Sequence, residues 1–486
     1  MGAVISERAG ALRGAAGVRL EGVTGFASSA AQAASVPWLP LLPLLAIPVV
    51  GTSPERLGNV ILAMQIIFLL MGLRRPHWVL GAVILSELTI RNYAITFPFA
   101  LLIVMPHFVR GVDLVPKARP MITVTALFVG LSAAVTYALV DVGTTLSYLK
   151  SVVPDFFVLL LIPLLIRRRS DIVQLGLVAV IVATASAAIG IAQQFEGARF
   201  LSVPHATAID VDLVDWGTRA LGLDLNPILL TDHLMLILFP VLGVVLARGV
   251  SGRAGLVLFI FALIMITALS LTQTRSWVFG AAAATTAMAL VLRGRVGREL
   301  LLLLAIGAFG FLYWTANSET RYSEGPDTDS SAAARPVLWS ATLQMALDYP
   351  VFGVGFQQFN EYAPQYASAI DRDLLGRHDV VNVLNTISPH NDYLNAWASF
   401  GTGGLFLYLL LLIFIGANFL SVARSTPDPL LRGLAIGCFG ALMAFGVNSF
   451  FHNLLTSGLT LWILAGVSLA LVKISSPPEA FEPEAR

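Results

Sequence analysis

The chain has 486 residues, 57% of them hydrophobic and only 12% charged, where soluble domains carry about 25% charged and roughly 45–50% apolar residues. A mean hydropathy of +0.80 leaves too little polar surface to face water on all sides, which excludes a soluble globular protein. The net charge of +1 gives no reason to expect a nucleic-acid partner. Cys438 is the single cysteine, so an intrachain disulfide framework and a cysteine-based zinc site are excluded too.

Residues 1–35 form a polar, Ala-rich tail with Arg8, Arg13 and Arg19. They hold no apolar core beside a cleavage site, so no signal peptide is expected. A membrane-spanning helix needs about 20 mostly apolar residues. Such runs stand near 36–52, 59–73, 78–90, 93–109, 121–140, 152–166, 172–191 and 227–247, and again near 255–272, 276–292, 299–315, 403–422, 430–450 and 458–473. The first is interrupted by Pro37, Pro40, Pro43 and Pro48, and the third is short and carries Glu87.

Lys and Arg favour the cytoplasmic side of such spans. With both termini cytoplasmic, twenty of the 30 basic residues fall inside, among them Arg74–Arg75, Arg167–Arg169 and Arg293/Arg295/Arg298. The expected organisation is a cytoplasmic tail (1–35), a helical region (36–315) with an outer loop at 192–226, a large outer loop (316–402), a last group of spans (403–473) and a second cytoplasmic tail (474–486). Loops beyond about 12–15 residues are usually functional or disordered.

Within the large loop, Arg335-Pro336 opens a helical pattern with Leu338, Trp339, Thr342, Met345 and Ala346 on one face, ending at Asp348-Tyr349-Pro350. A second amphipathic stretch aligns Phe356, Phe359, Tyr362, Ala363 and Tyr366. It suits a helix lying on the bilayer or on other helices, or else an aromatic wall of a substrate groove. Ser388-Pro389 then reads as a helix start, with Ser388 as N-cap. That puts His390 in the first turn, where the helix dipole lowers an imidazole pKa and keeps the ring neutral, as a general base requires.

Other polar residues collect at the same membrane side. Arg275 follows Thr272-Gln273-Thr274 at a span boundary, Asp232 and His233 lie in the outer part of their span, and Asn448, His452 and Asn453 close the penultimate one. Arg219 and Asn226-Pro227 end the first long loop. An arginine at membrane depth is a functional-site hypothesis by default, whereas His233 or Asn448 equally suits hydrogen bonding between helices. Arg forks match phosphate oxygens, so an anionic lipid diphosphate is the natural ligand. The triplets Asp210-Val211-Asp212, Asp327-Thr328-Asp329 and Asp371-Arg372-Asp373 match a common metal pattern by chance as often as by function. No metal site and no cofactor is therefore expected.

Arg335-Pro336-Val337-Leu338-Trp339, Tyr349-Pro350-Val351-Phe352-Gly353-Val354-Gly355-Phe356, and His390-Asn391 followed by Gly401-Thr402-Gly403-Gly404 resemble the loop of the bacterial O-antigen ligase and polymerase family. Arg219 with Asn226-Pro227, and Thr274-Arg275-Ser276, resemble two further arginine-bearing segments of that family. The resemblance implies an all-α polytopic membrane protein of the GT-C glycosyltransferase type, with about 12–14 transmembrane helices and a partly helical extracytoplasmic loop. It implies a bacterial inner-membrane enzyme that takes a glycan from an undecaprenyl-diphosphate-linked donor, without metal, to a glycan, lipid-core or protein acceptor.

By the same resemblance Arg219, Arg275 and His390 are the catalytic candidates. Arg335, Asn391, Asp392, Asp232 and His452 are expected to bind substrate. A ligase and a polymerase share this chemistry and both stay open. A lipid-linked glycan transporter is the alternative of another class. Transporters favour charges near the midplane rather than arginines at one edge.

Overall fold

The computed structural model describes residues 54–89, 93–109, 118–196, 219–224, 226–317, 330–369, 384, 389–455 and 458–476. The proline-broken run 36–52, Ser388 and the three Asp-x-Asp triplets lie outside them. Among the described residues the regular structure is all helical: α1 (Pro54–Gly72), α2 (Val79–Glu87), α3 (Tyr93–Val109), α4 (Arg119–Leu139), α5 (Val142–Leu165), α6 (Arg169–Glu196), α7 (Pro227–Leu246), α8 (Gly252–Leu271), α9 (Ser276–Leu292) and α10 (Gly294–Ala316). Then come α11 (Ser330–Asp348), α12 (Phe359–Tyr362), α13 (Asp392–Ser425), α14 (Pro429–Asn448) and α15 (Thr460–Ser475). In hydrocarbon every backbone polar group must be satisfied within its own segment, and helices do this. Seven of these helices (α4 to α8, α13 and α14) are long and apolar enough to cross a membrane, and α1, α3, α9 and α15 contain shorter apolar stretches. The protein is a multi-pass membrane protein.

Each run from 59 onward has its helix, though the boundaries shift, as where the run at 403–422 begins already at Asp392. The run at 78–90 yields only the nine residues of α2, and eight of them are buried. The run at 152–166 extends back to Val142, where Asp141 caps α5 by accepting the Thr144 amide.

α14 is the centre of the bundle, packed on α7, α9 and α13. Small residues set these distances, as is usual where lipid gives no hydrophobic drive between helices. A Cβ at Gly437 would overlap the Phe239 carbonyl of α7, and one at Gly280 of α9 would lie 3.3 Å from the Ala444 carbonyl. At the end far from α11, Asp428 caps α14 through the Leu430 and Leu431 amides and accepts Arg169 Nε at 2.6 Å.

The large loop has a core of its own. Val337, Leu338, Ala341, Met345 and Ala346 of α11 pack with Val354, Phe359, Ala363, Leu384 and Ala398. The second amphipathic stretch thus turns its buried side, Phe359 and Ala363, to α11 and not to lipid. α11 starts at Ser330, so Arg335-Pro336 lies inside the helix instead of opening it. Between α11 and α12 the chain crosses α13 as a strap. Val354 and Gly355 donate to the Ala398 and Ser399 carbonyls, and Thr402 N donates to the Pro350 carbonyl at 2.8 Å. The crossing coincides with a kink at Gly401 (φ 70°, ψ −174°).

Candidate functional site

Arg219 opens the described segment 219–224, which lies against the turn between α8 and α9. Its Nε donates to the Thr272 carbonyl at 2.8 Å and its Nη2 to Thr274 Oγ1 at 2.9 Å. Ala220 N donates to the Leu271 carbonyl. Two residues of the turn Thr272-Gln273-Thr274 are thereby held by a buried guanidinium, and Arg275 follows as the residue that precedes α9. The two arginines singled out in the sequence are joined through this turn.

The segment bearing Arg219 is itself pinned. Gln193 Oε1 accepts the Leu221 and Gly222 amides, and Ser186 Oγ accepts Leu223 N at 2.9 Å. Asp224 Oδ1 lies 2.7 Å from His233 Nδ1, and His233 Nε2 lies 3.1 Å from Glu87 Oε1, which also accepts Leu459 N at 2.7 Å. In the sequence Glu87 stood only as a charge in a short apolar run. It instead completes a buried Asp224–His233–Glu87 network linking α2, α7, the 219–224 segment and the start of α15. His233 is thus an interhelical hydrogen-bonding residue.

His390 stands just before α13. The helix begins at Asp392 and its N-cap is Asn391, whose Oδ1 accepts Leu394 N at 3.0 Å. His390 therefore precedes the cap, with φ of 52°, and does not sit in the first turn. Asparagine is as good a cap as serine, and here the later residue takes the position. The His390 side chain is exposed, yet the protein around it strips part of its hydration. That desolvation, and then the Arg335 guanidinium, hold its pKa below 6.5. The direction agrees with the sequence reading. Its causes are this desolvation and a neighbouring cation.

The turn after α14, Ser449–Leu455, joins these parts. His452 Nε2 lies 3.0 Å from Ser276 Oγ, next to Arg275. Phe451 carries the Arg335 guanidinium 5.7 Å above its ring, within cation–π range, and contacts Trp339 and Phe279. Asn453 Oδ1 accepts Asn391 N, and Asp392 Oδ2 accepts Leu454 N and Leu455 N at 3.1 and 3.0 Å. Asp392 N donates to the Ser449 carbonyl at 2.8 Å. One seven-residue turn therefore touches the helix start beside Arg275, the Arg335 side chain, and the cap that follows His390.

The residues expected to bind substrate divide by burial. Arg335 is half-buried, while Asp232, Asn391, Asp392 and His452 are buried. Asn391, Asp392 and His452 direct polar atoms at the protein itself, and Asp232 lies within electrostatic reach of Asp392 and Tyr408. One turn outward from the Gly280–Ala444 contact, the same face of α14 carries Asn448, fully buried, whose amide finds no hydrogen-bond partner among the described residues. Sequence reasoning missed Ser276, Asp224 and Phe451 as individual contributors. Only the first carried a signal, as the residue after Arg275. Among the described residues no group of three or more His, Cys, Asp or Glu is placed to hold a metal ion.

Residues 260–409 match the family model described as O-antigen ligase. The match runs from the middle of α8 into α13 and so contains Arg275, Arg335, His390, Asn391 and Asp392, but not Arg219, Asp232 or His452. No curated protein matches the chain.

Proposed function

We propose, from the match of residues 260–409 to the O-antigen ligase family model, that this membrane protein transfers a glycan from an undecaprenyl-diphosphate-linked donor to an acceptor hydroxyl. It does so at the outer face of the bacterial cytoplasmic membrane, with both termini cytoplasmic and the α11–α13 loop outside. The observation that carries the reading is that the Ser449–Leu455 turn bonds Ser276, the neighbour of Arg275, holds the Arg335 guanidinium over Phe451, and bonds Asn391, the neighbour of His390. That arrangement supports a site in which two cations and an imidazole work beside one turn.

In this reading the acceptor oxygen attacks the donor's anomeric carbon as the bond from that carbon to the phosphate oxygen breaks. Both bonding electrons leave with the lipid diphosphate. Charge grows on the leaving phosphate, and Arg275 meets it with a fork suited to phosphate oxygens. Arg219 fixes the Thr272–Thr274 turn from behind and adds its own positive charge, so it acts chiefly by holding Arg275. His390 takes the proton from the acceptor hydroxyl, a contribution of about 10²–10⁴-fold for a well-placed general base. Its lowered pKa keeps it neutral and ready at pH 7. Asn391 and Asp392 hold His390 in register by fixing the start of α13.

The test uses purified protein in detergent with lipid-diphosphate-linked repeat units. Donor alone yielding a ladder of products assigns a polymerase. One-step transfer only when a lipid-core or protein acceptor is added assigns a ligase. No transfer under either condition, with donor crossing liposome bilayers, would overturn the enzyme reading in favour of a transporter.

A further inference from the structure

The strap between α11 and α12 carries large apolar side chains that the protein does not cover. Val351 is 65% exposed, Phe352 60% and Leu347 60%, and Leu343 and Tyr349 are exposed beside them. Charge does not account for this surface, since the only ionisable acids or bases from Pro336 to Tyr366 that carry charge at pH 7 are Asp348 and Glu361. An uncovered apolar group of this size marks a contact with something else.

The backbone shows where the tip sits. Pro350 is tied by its carbonyl to both N and Oγ1 of Thr402, each at 2.8 Å. Thr402 heads the stripe Phe406, Leu409 and Ile413 on α13, spaced three or four residues apart and therefore on one helix face. Those three side chains are exposed along an apolar, membrane-length helix, so their face is turned to lipid. Val351 and Phe352 continue that stripe one turn beyond Phe406. Tyr349, an amphipathic ring of the kind that favours the water–lipid boundary, packs edge-on against Tyr362 at 5.5 Å.

We propose that the strap tip Tyr349–Phe352 is a membrane-docking surface, inserted among the lipids of the leaflet on the loop side, and that its partner is bilayer hydrocarbon. With two acidic and no basic residues nearby, the contact is apolar and independent of anionic headgroups. The tip anchors the loop that carries Arg335, because strap and α11 share one small core. This inference rests on the fold alone and holds whatever reaction the site performs.

The test is fluorescence depth quenching. The one native cysteine, Cys438, is buried and is replaced by alanine. Single Val351→Cys, Phe352→Cys and Glu361→Cys variants are then labelled with nitrobenzoxadiazole and reconstituted in phosphatidylcholine vesicles. Glu361 is exposed on α12 and serves as the aqueous reference. Labels at 351 and 352 are expected to emit at shorter wavelength than at 361. They should be quenched by 5-doxyl lipid at least about twofold more strongly, and be shielded from aqueous iodide. Two tip positions are used so that one misfolded variant leaves the other. Quenching by iodide as strong as at 361 would overturn the proposal. So would protection from both quenchers, which would mean that protein covers the tip.

Discussion

Gly401 is where strap and helix meet, and Gly401→Ala should open that junction. Its φ of 70° with ψ of −174° lies in a region essentially reserved for glycine, and forcing alanine into it costs about 1–3 kcal/mol. An added Cβ would also overlap the Val351 carbonyl and approach Phe352 N at 2.7 Å. These are backbone atoms and cannot rotate away, so the strap must lift. Lifting it gives up the bonds Val354 N to Ala398 O, Gly355 N to Ser399 O and Thr402 N to Pro350 O, each worth a net ~0.5–1.5 kcal/mol. Together the local cost is roughly 3–7 kcal/mol. Hydrogen exchange read by mass spectrometry should then show the amides of residues 351–356 and 402 exchanging about 100-fold faster or more. Gly403→Ala is the control. Its Cβ would meet only Leu131 Cδ2 at 3.3 Å, and alanine in a helix interior gains about 0.5–1 kcal/mol over glycine. Unchanged exchange in Gly401→Ala, or equal acceleration in Gly403→Ala, would refute the argument.

Replacing His452 with alanine removes the partner of a buried Ser276 hydroxyl and should cost about 1–3 kcal/mol. Transfer should fall through kcat more than KM, and His452→Gln, which can still reach the hydroxyl, should recover part of it. The transfer rate should decline in acid below pH 6.5, through the depressed pKa of His390, because only the neutral ring accepts a proton. Stability shifts the same way: folded and unfolded chains are both neutral at this residue above 6.5, while below it the unfolded chain binds the proton first, so acid disfavours the fold. A pH–rate profile flat from pH 7 to 5 would contradict this. Glu87→Ala leaves His233 Nε2 and Leu459 N without their shared acceptor and should destabilise by about 3–5 kcal/mol, as loss of one partner in a buried ionic network does. A thermal unfolding midpoint equal to that of the wild type would show the network to be dispensable.

Hydropathy located the helices because in lipid a run of apolar residues has little alternative to helix. Asn226-Pro227 marked the start of α7 for a local reason, a side chain accepting the Ile228 and Leu229 amides beside a proline at the first turn. Local signals failed elsewhere. Ser388-Pro389 read as the helix start, yet Asn391 caps α13, and nothing within a few residues says that Asn391 also presents its own amide to Asn453. Pro336 looked like a first-turn residue, yet α11 carries it in the interior. The polar residues were legible as a group, but their pairings were not. Glu87 and His233 are 146 positions apart, and Ser276 and His452 are 176 apart. Such contacts leave no periodicity in the chain. The strap escaped notice for the same reason: its bonds join the backbone at 350–355 to the helix near 400, and only Gly401 hints at the crossing.

Single-turnover transfer from a lipid-diphosphate-linked donor, measured side by side for wild type, Arg275→Ala and His390→Ala at matched expression and folding, tests the central claim most directly. The account predicts that Arg275→Ala abolishes transfer and that His390→Ala lowers it by about 10²-fold or more, with donor binding weakened only in the arginine variant. Wild-type rates in either variant would contradict it.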